Sequence, residues 1–278
     1  MTNPEELLGE KIVQKSFLGG GCIGSSQKIT TQSGRILFIK TYQTPGIAPK
    51  EARGLKELSR CRALHIPQVV AQDDRMIIMA YIETASPKGH FFEDFGKGLA
   101  QLHRISDTHH GFEHDNFIGT TPQINLPRRS SWCDFFIKNR LDYQVERAAQ
   151  AGHLGTQEYG EYKRLREKIP ELLAGTEEPP ALLHGDLWGG NHMCDRHNRP
   201  VIFDPAVYYG HREADLAMTS LFGRLPGEFY SAYNDEYPLK EGYARREPLY
   251  QLYHILNHLN LFGRSYKGTA LSIIRSYL

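Results

Sequence analysis

Apolar and polar residues alternate along the first third of the chain and recur at helical spacing along the rest. Asn3-Pro4-Glu5-Glu6 predicts a short opening helix: Asn3 suits the cap, Pro4 the first helical position, and the acids the positive end of the dipole. Gly9 ends it. From Lys11 the period is two, so residues 11–18, 27–32 and 35–42 read as strands. Turns lie at GGGCIGS (19–25) and at Ser33-Gly34. Residues 66–70 and 75–83 supply two more strands, and the run Met76–Met79 is apolar throughout, as in a buried strand. Residues 80–87 then read as a crossing segment.

From Phe91 the spacing is helical, with Phe95, Leu99 and Leu102 on one face. Residues 129–152 predict a second amphipathic helix with Phe136, Leu141 and Val145 inward. Residues 158–175 predict a third, broken near Pro170. Residues 214–222 and 248–266 are again helical. The pattern changes once, near residue 82. It predicts an α+β chain of two lobes with a cleft between them: a small antiparallel-sheet N-lobe (1–82) and a larger helical C-lobe (83–278).

Composition narrows the function. The 278 residues carry a formal net charge of +1 with acids and bases interspersed, which gives no electrostatic case for nucleic acid or a membrane surface as partner. The start, MTNPEELLGEKIV, does not read as a signal peptide, and the apolar runs are too short to span a bilayer. Cys22, Cys61, Cys133 and Cys194 are far apart and form no C-x-x-C pair, which predicts a reduced, cytoplasmic protein. The His-rich stretch HHGFEH (109–114) matches no zinc spacing and reads as a polar loop.

The densest chemistry lies in HGDLWGGN (184–191) and in VIFDPA (201–206). An Asp is followed five residues later by an Asn, and a second Asp closes the next strand-like run. Phosphoryl transfer from a magnesium nucleotide asks for this set: Asp186 to accept a hydroxyl proton, Asn191 and Asp204 to supply oxygen ligands to Mg²⁺. H-x-D-x-x-x-x-N resembles the catalytic loop of protein kinases and their small-molecule relatives. Lys40, at the end of the third strand, is the candidate phosphate contact. Glu51 on the following helix is its natural partner, with Glu57 the alternative, placed later and facing outward. Gly19, Gly20, Gly21 and Gly24, with Cys22 among them, form a glycine-rich turn whose main-chain N–H groups would cover the nucleotide phosphates. The same glycines fit G-x-G-x-x-G, but a dinucleotide fold needs a helix directly after them, and a strand pattern follows instead. By register, Ala80 and Ile82 meet the adenine edge.

Taken together, the loop GGGCI, the segment GFEHDNFIGTTPQIN (111–125), W-x-x-F-F-x-x-x-R-L (132–141), HGDLWGGN, IFDPAVYYGHREADLAM (202–218) and LYQLYHILNHLNLFG (249–263) resemble the fructosamine kinase, or ketosamine-3-kinase, family nearly end to end. That resemblance implies the protein-kinase-like fold of the aminoglycoside phosphotransferases, ATP and Mg²⁺ as cofactors, and phosphorylation of the 3-hydroxyl of ketosamines. Those adducts are carried by free amines or protein lysines, and the labile product frees the amine in deglycation. It implies Asp186 as catalytic carboxylate, Lys40 braced by Glu51 on the phosphates, and Asp215 as a buried acid anchoring the catalytic loop. Trp188 would pack on the sugar or its amine, or else in the core. His258 and His254, one turn apart, would face the substrate or pack without touching it. Cys22 would be a redox-sensitive thiol, through which a monomer becomes a disulfide-linked homodimer, or a small residue tolerated in a turn. The rival readings are another small-molecule kinase of this fold, acting on aminoglycosides, choline or homoserine, and a nucleotide-binding pseudokinase scaffold. The apolar, neutral HILNHLNLFG tail argues against an aminoglycoside enzyme, whose polycationic substrate asks for an acidic surface. The presence of Lys40, Asp186, Asn191 and Asp204 argues against the second.

Overall fold

A computed structural model of the chain describes residues 2–18 and 25–278. Gly19, Gly20, Gly21, Cys22 and Gly24, and with them the glycine-rich turn and the candidate redox thiol, lie outside the described residues. Asn3 caps helix α1 (Pro4–Leu8) by accepting from the Glu5 N–H at 3.1 Å, and Gly9 closes it in the left-handed conformation. Strands β1 (Ile12–Leu18), β2 (Ser25–Thr31) and β3 (Ile36–Thr41) follow, then α2 (Ile47–Leu58), β4 (Val69–Gln72) and β5 (Met76–Ala80). The five strands form one sheet in the order β1-β2-β3-β5-β4, antiparallel throughout. Helix α2 lays Ala52 and Leu55 on Ile77 and Met79 of β5, which is why that strand carries no polar residue.

The second part begins with a two-residue strand, β6 (Thr84–Ala85), and then α3 (Phe91–His103), whose buried face holds Phe95, Leu99 and Leu102. A hairpin of β7 (Asn116–Ile118) and β8 (Thr121–Gln123) precedes α4 (Trp132–Phe135), a π-helical stretch (Phe136–Asp142) and α5 (Tyr143–Gln150). Next come α6 (Thr156–Leu172), β9 (Ala181–Leu183), β10 (His192–Asp195), β11 (Pro200–Ile202) and β12 (Tyr208–Gly210). Helices α7 (Glu213–Leu221), α8 (Gly227–Glu236), α9 (Tyr243–Phe262) and α10 (Lys267–Ser276) complete the chain, with a 3₁₀ turn (Arg264–Tyr266) before α10. One large core joins these helices, with Phe95 against Phe229 and Trp132 against Phe136 and Tyr250.

Four expectations are corrected. The second long helix is not uniform: its middle widens to the π register, in which Phe136 and Leu141, five apart, both bury along with Arg140. Pro170 does not break α6, which runs on to Leu172. The proline sits in the last turn, where only one intrahelical N–H is lost before the helix ends. HHGFEH is not a polar loop. His110, Gly111 and Phe112 are buried, His110 packs against Trp132, and Gly111 bridges to Tyr209. Glu57 does not face outward: it accepts from the Tyr209 hydroxyl at 2.8 Å and from the Arg60 guanidinium, tying α2 to β12.

Candidate active site

Strand β9 delivers the chain into the loop His184–Asn191, and two backbone bonds fix its start. The carboxylate of Asp215, on the first turn of α7, accepts from the His184 N–H at 2.6 Å and from the Gly185 N–H at 2.8 Å. A third bond comes from His103 Nε2 at 3.2 Å. Asp215 is 1% exposed, and its carboxyl is nonetheless held below the usual range. Burial pushes it up, but the His103 bond, the neighbouring histidines and the Gly185 N–H pull harder.

The loop is then stitched to the segment carrying Asp204. His184 Nε2 donates to the Phe203 carbonyl at 2.9 Å, which leaves its Nδ1 to accept from the Asp186 N–H at 3.3 Å. Phe203 N–H donates to the Asn191 carbonyl at 3.1 Å, and Ala206 N–H to the His184 carbonyl at 2.9 Å. Gly185 is required at this crossing. It has φ +84°, and a Cβ there would lie 2.0 Å from the Ala206 carbonyl oxygen.

These bonds bring Asp186, Asn191 and Asp204 to one wall of a cleft of about 510 Å³, within the range of roughly 300–1,000 Å³ usual for ligand sites. Asn191 Nδ2 donates to the Asp186 carbonyl at 2.8 Å and to its Oδ2 at 3.2 Å. The amide is thereby oriented, and its Oδ1 is left to act as a ligand. With the Asp204 carboxylate it makes an all-oxygen donor pair, the chemistry that suits a hard cation such as Mg²⁺. Asp204 itself has φ +55°, a left-handed conformation uncommon outside glycine.

Lys40 reaches this wall from β3. Its Nζ lies 2.7 Å from Asp204 Oδ1 and 3.2 Å from Glu51 Oε2, and Glu51 also contacts the Tyr42 hydroxyl. Burial pulls the Lys40 ammonium down, but Glu51 and Asp204 together outweigh it and leave it raised and charged. Burial pushes the Glu51 carboxyl up against the pull of Lys40. Asp186 is pushed well above the carboxylate range, first by burial and then by the charge of Asp204. Ala80 and Ile82 line the far end of the cleft. The Ala80 N–H is already taken by the Gln68 carbonyl at 2.8 Å.

A family model described as fructosamine kinase matches residues 3–278. The chain belongs to the fructosamine kinase family. Protein-ribulosamine 3-kinase, chloroplastic, of Oryza sativa subsp. indica is 41% identical over 283 residues, covering 96% of this chain and 80% of that protein. Ketosamine-3-kinase of Mus musculus is 32% identical over 291 residues and covers 93% of both chains. The crystal structure of a Thermobifida fusca protein, provisionally named a fructosamine-3-kinase, superposes with a TM-score of 0.90 at 35% identity, covering 98% of this chain and 96% of that one. An aminoglycoside phosphotransferase superposes at a TM-score of 0.64 with 14% identity, which establishes the shared kinase-like fold.

Around the site of this fructosamine kinase family member, Trp188 is half-buried and lines the cleft beside Asp186. Its indole lies over Gly190, where a Cβ would come within 2.4 Å of the ring. His258 does not reach the cleft wall. It stands behind Phe222, ring centroids 4.7 Å apart, and Phe222 in turn meets Trp188 at 6.2 Å. His254 is buried in α9 beside Tyr253 and is not brought to the cleft.

Sequence reasoning assigned no role to Asn116 and Gln123, though both lie in the segment 111–125. Asn116 Nδ2 donates to the Val207 carbonyl at 2.8 Å and Gln123 Nε2 to the Ala206 carbonyl at 2.9 Å, so the hairpin clamps the backbone just after Asp204. Asn125 and Arg140 back these amides. Among the described residues no helix is long and apolar enough to cross a membrane.

Proposed function

We propose that the protein is an ATP-dependent kinase that phosphorylates the 3-hydroxyl of ketosamines, free or on protein lysines, and so acts in deglycation. The observation that carries the reading is the convergence of Asp186, Asn191 and Asp204 opposite Lys40, in a chain of this family. In the step, the substrate oxygen bonds to the γ-phosphorus and the bond from that phosphorus to the bridging oxygen breaks, releasing ADP. Asp186 orients the hydroxyl and takes its proton, and its raised affinity for a proton suits that task. Lys40, held by Glu51, contacts the phosphates, and the glycine turn 19–24 covers them. Asn191 and Asp204 would hold Mg²⁺, which when bound neutralises phosphate charge. Ala80 and Ile82 meet the adenine edge and Trp188 the sugar, while His258 stands behind Phe222 and backs the substrate side without touching it. The working form is a cytoplasmic monomer that pairs through oxidation at Cys22.

The test is ADP release with Mg-ATP on ribuloselysine, fructoselysine, kanamycin and choline. Turnover on a ketosamine is expected, and Asp186→Asn lowers it by about 10²–10⁴. Turnover on kanamycin or choline alone would overturn the substrate. ATP binding with no turnover on any of them would leave a scaffold.

A further inference from the structure

Isolated exposed apolar side chains are ordinary, whereas contiguous ones mark contact surfaces. Among the described residues, large apolar side chains stay exposed on the first sheet, as Val13, Phe17 and Ile36 do, and at Val70, Leu126 and Leu278. Phe222 and Phe262, 39% and 52% exposed, belong to one aromatic cluster. They flank His258, with ring centroids at 4.7 and 5.4 Å, and Tyr266 closes on the same imidazole at 5.1 Å. The row continues inward, because Phe222 meets the edge of Trp188, which lines the cleft beside Asp186. Three separate elements build it: the C-terminus of α7, the last turn of α9 and the 3₁₀ turn. His258 serves as the hub. Its Nδ1–H is held by the His254 carbonyl at 2.8 Å, which fixes the ring while the outer aromatics stay open to solvent.

We infer that Phe222, Phe262 and Tyr266 form a platform for the carrier of the ketosamine, receiving apolar side chains that flank a glycated lysine in a peptide. The inference rests on the proposed kinase reading. With the sugar hydroxyl at Asp186, the amine and everything attached to it must leave the cleft, and on the side of Trp188 the surface met is this row. The carboxylate near its rim, Glu247, is engaged by Arg224 at 3.6 Å and by the Ser220 hydroxyl at 2.6 Å. The rings offer apolar surface, and the turn between Phe262 and Tyr266 adds the exposed cation Arg264, which fits apolar neighbours rather than a polycation.

The test compares three substrates glycated on one lysine: Nα-acetyl-lysine amide, a hexapeptide with Leu and Phe flanking the lysine, and the same peptide with Ser and Gly there. The wild type is expected to show a KM about tenfold lower for the Leu/Phe peptide, the worth of one well-buried aromatic contact. Phe262→Ser with Tyr266→Ser, neither of which touches Trp188, is expected to abolish that preference while leaving kcat and the turnover of the acetyl-lysine adduct within about twofold. Phe262→Ser alone, at a surface position, gives a partial loss should the double variant fold poorly. Equal KM for the two peptides in the wild type overturns the platform and leaves the kinase reading intact. So does a preference that survives the substitutions. No turnover of any of the three substrates by the wild type overturns the kinase reading itself.

Discussion

Asp215→Asn isolates the anchor of the catalytic loop. In the wild type one carboxylate oxygen accepts from the Gly185 N–H, and the other from the His184 N–H and from His103 Nε2. An amide has one acceptor oxygen. Whichever way the substituted side chain turns, one of these two buried backbone N–H groups then faces an NH₂ donor. Leaving a buried donor unpaired costs ~1–3 kcal/mol, and losing the charge from the surviving bond costs ~1 kcal/mol more. A total of ~2–4 kcal/mol, at roughly 2–4 °C per kcal/mol for a chain of this size, lowers Tm by about 5–15 °C.

The same change acts on chemistry, because Asp186 follows Gly185 directly. If the loop relaxes by about 1 Å to relieve the donor clash, turnover falls ~10²-fold. The assay pairs thermal melting with ADP release, using exposed Asp235→Asn as the charge-matched control. Asp215→Asn that melts with the wild type and keeps its kcat would refute the anchoring argument. A lower Tm with an unchanged kcat would leave Asp215 a purely structural residue whose loss the loop tolerates.

Four further outcomes follow from the same geometry. Lys40→Met leaves Asp204 and Glu51 without their shared cation and should lower kcat/KM by ~10²–10³, read as ADP release across an ATP titration. As the proposed base, Asp186 would act deprotonated, and its affinity for a proton is raised, so the acid limb of kcat/KM should lie above the ordinary carboxylate range. The sign for stability is the reverse. A carboxyl raised in the folded state contributes stability below its unfolded pKa and loses it as pH rises through the folded pKa. Inactive Asp186→Asn should therefore melt higher than the wild type at pH 7, by the ~0.5–2 kcal/mol typical of relieving an active-site compromise. Arg140 is fully buried, faces no carboxylate among the described residues, and is held by the Ile124 and Asn139 carbonyls, Asn125 Oδ1 and the ring of Tyr208. Lysine cannot reproduce that planar fork and stack, so Arg140→Lys should cost ~2–4 kcal/mol in urea unfolding.

What could be read in advance depended on whether residue identity carries the signal. Period-two alternation set out β2 and β3, because a half-buried strand must alternate; β1 was found by the same reading although its five central residues are all exposed. The family and fold were legible because HGDLWGGN and the READLAM segment are long and specific. The π stretch was not, since the apolar spacing of residues 129–152 serves an α-helix equally well. Glu57 escaped because its partner, Tyr209, lies 152 residues downstream and is brought near only by the packing of α2 on β12. The clamps from Asn116 and Gln123 end on main-chain carbonyls, which every residue possesses, so no sequence pattern marks the receiving end. Phe222 and Phe262 lie at the ends of helical runs to whose apolar residues no role was assigned, and exposure beside His258 is a property of the packing alone.

Asp204 shows why those illegible bonds matter. A left-handed φ costs a non-glycine residue ~1–2 kcal/mol, so such a conformation persists only where its surroundings over-determine it. Here they do. Phe203 is held at both its N–H and its carbonyl, by Asn191 and His184. Ala206 is held at both as well, by His184 and Gln123, and the Val207 carbonyl is fixed by Asn116. With the backbone pinned on either side, the left-handed turn at Asp204 carries its carboxylate to Lys40. A glycine at 204 would relax the turn but remove the carboxylate. The strain is thus a consequence of aiming an acid into the cleft, and backbone bonds from the loop 184–191 and the hairpin amides maintain it.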